Sequence, residues 1–117
     1  MNQPVVAIIG SAMMDLSAYI DHIPAAGETL KGDSFTTGFG GKGANQAVMA
    51  AIAGAQSFFI GAIGNDVFGA AIAENFKARG VNSKYLQQSE LPTGVAHIWA
   101  EASGENRIII IPGANHD

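Results

Sequence analysis

Apolar positions follow three rhythms along this chain. Residues 5–9 form an unbroken apolar, mostly β-branched run that ends at Gly10-Ser11. A strand covered on both faces, as in a parallel sheet, reads this way. Residues 57–63 repeat the pattern. The second rhythm is alternation. Leu16, Ala18 and Ile20 alternate with Ser17, Tyr19 and Asp21, and Ala96, Ile98 and Ala100 with His97, Trp99 and Glu101. Strands with one wet face show this period of two. Residues 29–39 are polar and β-prone and read as an edge strand, while 107–111 follows 93–101 across Ser103-Gly104-Glu105-Asn106 as a hairpin. A short strand is also predicted near Tyr85-Leu86-Gln87.

The third rhythm is helical. Ala44, Ala47, Val48, Ala51, Ile52 and Ala55 share one face of a helix that stops near Gly54. Phe68, Ile72 and Phe76 give a second helix its buried stripe. Asp66 suits its N-cap, Lys77 and Arg79 its last turn, and Gly80 its stop. Strands alternating with helices imply an α/β sheet. The four one-sided strands, approximately 12–21, 29–39, 93–101 and 107–111, do not belong in its covered middle and predict a separate antiparallel layer.

Composition narrows the function classes. The 117 residues suit one domain, and a net charge of −4 opposes a nucleic-acid or anionic-membrane partner. With no cysteine there is no disulfide framework, thiolate metal site or cysteine nucleophile. His22, His97 and His116 lack metal-ligand spacing, so no metal site is assigned. No apolar run reaches the roughly 18 residues of a membrane span. The first residues lack the basic opening of a secretory signal, so a cytoplasmic setting is expected.

The sharpest local feature is Gly38-Phe39-Gly40-Gly41-Lys42-Gly43, just before the first helix. Glycines there let a ligand approach the backbone, and a helix start offers free N–H groups. A P-loop fails twice: Thr36 stands where its first glycine belongs, and Gly43 where Ser or Thr is needed. Gly38, Gly40 and Gly43 satisfy the letter of G-x-G-x-x-G, and Asp66 follows Gly43 by 23 residues. The preceding segment, Ser34-Phe35-Thr36-Thr37, is not the buried apolar strand that motif requires. A dinucleotide-binding oxidoreductase domain stays open as an alternative, as does a non-catalytic sugar-binding or dimerisation module.

The longer string Gly40-Gly41-Lys42-Gly43-Ala44-Asn45-Gln46-Ala47 resembles the first signature of the ribokinase-like (PfkB) family of carbohydrate kinases. Five further pieces match in order: Gly10-Ser11 with Asp15; Pro24 with Gly27-Glu28-Thr29; Gly61-Ala62-Ile63-Gly64-Asn65-Asp66 with Phe68-Gly69; Thr93-Gly94-Val95-Ala96; and Gly104-Glu105-Asn106 with Gly113-Ala114-Asn115. The resemblance implies the N-terminal part of a Rossmann-type αβα sandwich carrying a β lid. It also implies ATP-dependent phosphorylation of a sugar hydroxyl, with magnesium. Asp15, Gly41, Lys42 and Asn45 match sugar-contacting positions, and the backbone of Gly43 and Ala44 would line the same pocket. Ala96, Ile98, Ile108 and Ile110 fall on lid strands over the sugar. Where the family usually has an Asn two residues before the aspartate, this chain has Met13, which leaves the sugar, nucleoside or related alcohol open. The family's second signature, roughly D-T-x-G-A-G-D, carries the catalytic aspartate and the phosphate-holding helix start. No such string occurs in residues 1–117, so the chain is expected to hold the sugar shell and lid without catalytic residues, the ATP site or the magnesium site. Unpaired lid edges predict a homodimer through those strands.

Overall fold

The computed structural model describes residues 3–116. Strand β1 (Val5–Ile9) pairs in parallel with β4 (Gln56–Gly64), which then pairs in parallel with β5 (Val81–Asn82) and β6 (Leu86–Ser89). Helices α1 (Lys42–Ile52) and α2 (Val67–Ala78) connect these strands. Both pack on the same sheet face, where Phe59 and Phe76 meet at 4.8 Å between ring centroids and Ala47, Ile63 and Ile72 complete the core. The Ser57 hydroxyl is buried there and donates to the Ala47 carbonyl at 2.8 Å, which satisfies it.

That arrangement corrects one expectation. Residues 5–9 do not lie between two covers: Val5, Ala7 and Ile9 are exposed while Val6 and Ile8 are half-buried. Among the described residues only one of the sandwich's two helix layers is present. The apolar character of the second face still tells what kind of surface the strand was built for.

The separate layer is a four-stranded sheet in the order β3 (Ser34–Gly40), β2 (Met13–Ile20), β7 (Gly94–Glu101), β8 (Asn106–Ile111). Its outer pairs are antiparallel, as expected, but the central β2–β7 pair is parallel, with Met13 opposite Gly94 and Asp15 opposite Ala96. The antiparallel reading therefore fails at the centre, because both strands leave the first sheet in the same direction. Residues 29–33 precede β3 rather than belonging to it. The radius of gyration is 16.2 Å, against about 13 Å for a compact domain of similar length. The two sheets extend the molecule rather than stack into a ball.

Helix α2 begins as the sequence predicts. The Asp66 carboxylate accepts from the Gly69 N–H at 2.8 Å, and also from the Thr93 N–H at 2.9 Å and the Thr93 hydroxyl at 2.6 Å. The Thr93 oxygen in turn accepts from the Gly64 N–H at 2.8 Å. Helix start, β4 end and β7 start are thus tied in one network. Burial works against the Asp66 charge, but these donors outweigh it and hold the carboxyl below its ordinary range.

Candidate sugar-binding cleft

A cleft of about 700 Å³ opens where the two sheets meet, beyond the C-terminal end of β1. Open parallel α/β sheets place ligands at this end of their strands. The sequence brings the chain here through close backbone crossings. Gly10 and Gly43 pass so tightly that a Cβ on Gly43 would lie 2.8 Å from the Gly10 Cα. Gly41 has φ +95°, a left-handed value that favours glycine, and a Cβ there would overlap the Ser11 carbonyl. A Cβ on Gly40 would overlap the Asp15 carboxylate. The glycines thus have identifiable jobs at the junction.

Of the residues singled out from the sequence, Met13, Asp15, Gly41, Lys42, Gly43, Asn45, Ala96, Ile98, Ile108 and Ile110 all line this cleft. Ala44 does not: its methyl is buried in the core and its N–H donates to the Ser11 carbonyl at 3.1 Å. The polar groups converge from two elements. Asp15 projects from β2, while Lys42 and Asn45 sit in the exposed first turn of α1. Among the described residues no group donates to the Asp15 carboxylate, and partial burial raises its pKa above the ordinary value. The opposite wall is aliphatic, formed by Ala96 and Ile98 on β7 and Ile108 and Ile110 on β8. A carboxylate facing an amine and an amide, under an aliphatic roof, suits a small polyol: hydroxyls meet the polar side and C–H faces meet the other.

Sequence reasoning missed several wall residues, including Ile9, Gln46, Pro112 and Asn115. Asn115 has a structural part. Its oxygen accepts the Ala12 N–H at 3.0 Å, and its nitrogen donates to the Ala12 carbonyl at 3.1 Å and the Pro112 carbonyl at 2.9 Å. Its place in the string Gly113-Ala114-Asn115, recognised only as a motif piece, was the available signal.

The dinucleotide fingerprint dissolves in this geometry. Gly38 lies within β3 of the outer sheet, and the Asp66 carboxylate is taken up by Gly69 and Thr93. Among the described residues no three His, Cys, Asp or Glu side chains gather to hold a metal ion. No described helix is long and apolar enough to cross a membrane.

Known proteins share both the sequence and the fold of this chain. The pfkB family carbohydrate kinase profile matches residues 3–117. A ribokinase of Bacillus subtilis is 49% identical over 113 residues, covering 96% of this chain and 38% of the relative. A deoxyribokinase of Salmonella typhi is 40% identical over 111 residues, covering 94% of this chain and 36% of the relative. The structure of Arabidopsis thaliana ribokinase complexed with ribose and ATP superposes with a TM-score of 0.91 at 37% identity, covering 97% of this chain and 38% of that one. The chain therefore spans little more than a third of the length of these relatives. By sequence and by fold, the chain belongs to the pfkB family of carbohydrate kinases.

Proposed function

We propose that this chain supplies the sugar-binding cleft of a kinase that transfers a phosphoryl group from ATP to a sugar hydroxyl. The observation that carries the reading is Asp15, a half-buried carboxylate with no donor among the described residues, lining a cleft that also presents Lys42 and Asn45. The carboxylate accepts two hydrogen bonds from neighbouring hydroxyls, and Lys42 and Asn45 donate to others. Binding of this kind fixes the reacting hydroxyl, the larger part of what a protein contributes to phosphoryl transfer.

Among the described residues Asp15 is the only carboxylate that lines the cleft, and no three His, Cys, Asp or Glu side chains gather to hold a metal ion. The catalytic base and the nucleotide are proposed to lie in the portion of the family's length that this chain does not span. A cytoplasmic setting and pairing of two copies through the outer sheet belong to the same proposal. The pairing rests on the free edge β8, where Ile108 to Ile111 are all about half exposed or more.

Sugar titration by calorimetry, with ADP release measured in parallel, tests the reading. Pentose binding that is lost in Asp15→Ala supports it. Saturable binding of NADH with no sugar binding would overturn it. Sedimentation equilibrium tests the pairing, which a concentration-independent monomer would refute.

A further inference from the structure

We propose that Asn115 is a positioning residue for the sugar, holding the carboxylate wall and the aliphatic wall of the cleft at their working separation. The inference rests on the sugar-kinase reading above. Those walls stand on strands that are not neighbours: Asp15 is on β2, Ile108 and Ile110 are on β8, and β7 runs between them. With one strand between them at regular spacing, β2 and β8 lie about 10 Å apart. The Asn115 NH2 nonetheless reaches a carbonyl at the foot of each, Ala12 at 3.1 Å just before β2 and Pro112 at 2.9 Å just after β8. One amide thus gathers two strand ends that the ladder itself leaves apart. Both its hydrogens are engaged there, so Asn115 acts on the sugar through the strands.

The foot of the middle strand is shaped for that amide. Gly94 opens β7, and a Cβ there would overlap the Asn115 amide nitrogen. Ala12 is fully buried and precedes the first ladder pairs of β2, at Met13. The Asn115 oxygen accepts the Ala12 N–H at 3.0 Å, so the amide meets Ala12 as a neighbouring strand residue would, with one acceptor and one donor. Asp15 follows three residues later. A buried N–H and carbonyl that lose a partner are unfavourable, so in a truncated variant the start of β2 shifts until water reaches them. That shift moves Asp15 relative to the isoleucines across the cleft. A misplacement of about 1 Å can cost about 100-fold.

The test is steady-state kinetics of the protein carrying this chain, with ribose as the probe and ribose dissociation constants from calorimetry alongside. Asn115→Ala should raise the ribose KM and dissociation constant by about tenfold to 100-fold and leave the KM for ATP unchanged. Asn115→Asp keeps the shape and the acceptor but turns a carboxylate oxygen on two carbonyls, so it should bind ribose no better than Asn115→Ala. Gly94→Ala presses on the amide from β7 and should reproduce the loss, which keeps the test decisive if Asn115→Ala does not fold. Phe76→Leu, a core change in α2, supplies the purely structural comparison: it should lose stability in urea and keep the ribose KM. Wild-type ribose affinity in any folded one of the first three variants overturns the inference and leaves the kinase reading standing. An equal loss of ribose affinity in Phe76→Leu overturns it too, because stability alone would then explain the effect. Failure of the wild type to bind or phosphorylate a pentose defeats both readings together.

Discussion

Replacing Gly43 by alanine adds one methyl at the close backbone crossing between the start of α1 and the end of β1. That methyl would sit 2.8 Å from the Gly10 Cα and 3.1 Å from both the Gly10 carbonyl carbon and the Ser11 nitrogen. All three are backbone atoms, so no side chain can swing aside, and the β1–β2 connection or the start of α1 must move. Forcing a methylene into a filled space costs about 1–3 kcal/mol. A small opposing gain, at most about 1 kcal/mol, comes from replacing glycine inside a helix. Net destabilisation of about 1–2 kcal/mol is expected. Gly38→Ala is the matched control, because nothing lies within 4 Å of a Cβ there and its φ is not left-handed. It should be neutral or slightly stabilising. Urea denaturation of the three proteins measures both changes, and pentose titration reads the cleft. Gly43→Ala should also weaken sugar binding, since the displaced segments carry Ser11 and Lys42 into the cleft wall. A Gly43→Ala protein as stable as wild type, or a Gly38→Ala protein equally damaged, would refute the crossing as the reason for glycine.

Asp15→Asn should remove most sugar affinity, about tenfold to 100-fold for lost charge-assisted hydrogen bonds, while slightly stabilising the fold near neutral pH. The sign follows from its raised pKa: stability linked to Asp15 is full below its unfolded pKa and falls as pH rises through the folded value. The gain over wild type should vanish in acid, and urea melts across pH check this. Thr93→Val removes the hydroxyl donor to Asp66 and strands the Gly64 N–H, for a loss of about 2–4 kcal/mol in denaturation experiments. Because the Asp66 pKa is lowered, its contribution holds above the unfolded pKa and is lost as pH falls through the folded one; the variant should show a weaker acid dependence. Asn115→Ala frees the Ala12 N–H, so hydrogen exchange at that amide should accelerate while α2 amides stay protected.

Local chemistry carried much of this fold in readable form. The apolar face of α1, the Asp66 cap and the Gly80 stop all follow from neighbours a few residues apart. The candidate cleft was legible through its glycine loop, because close backbone approach demands glycine wherever it occurs. Strand direction was not: Leu16 and Ile98 alternate alike whether β2 and β7 run parallel or antiparallel, since the period is two in either case. The two-residue β5 is too short to show a period. Asn115 escaped because its partner Ala12 lies 103 positions away, and its bonds go to backbone atoms that every residue possesses. The exposed half of β1 escaped because an apolar run cannot say what covers it.

The outer sheet meets the rest of the molecule along a single line. Strand pairing puts the start of β2, the end of β3, the start of β7 and the end of β8 side by side: Met13 faces Gly40 and Gly94, and Val95 faces Ile111. The opposite ends, at Ile20, Ser34, Glu101 and Asn106, project away. In mechanical terms the sheet is a cantilever clamped along one edge. Any swing of the sheet over the cleft must be absorbed at four short clamps, Gly10–Ala12, Gly41, Pro92–Thr93 and Pro112–Gly113, two of which are fastened together by Asn115. Side chains at the free end then govern how far the plate travels, and those at the clamp govern how stiffly it turns.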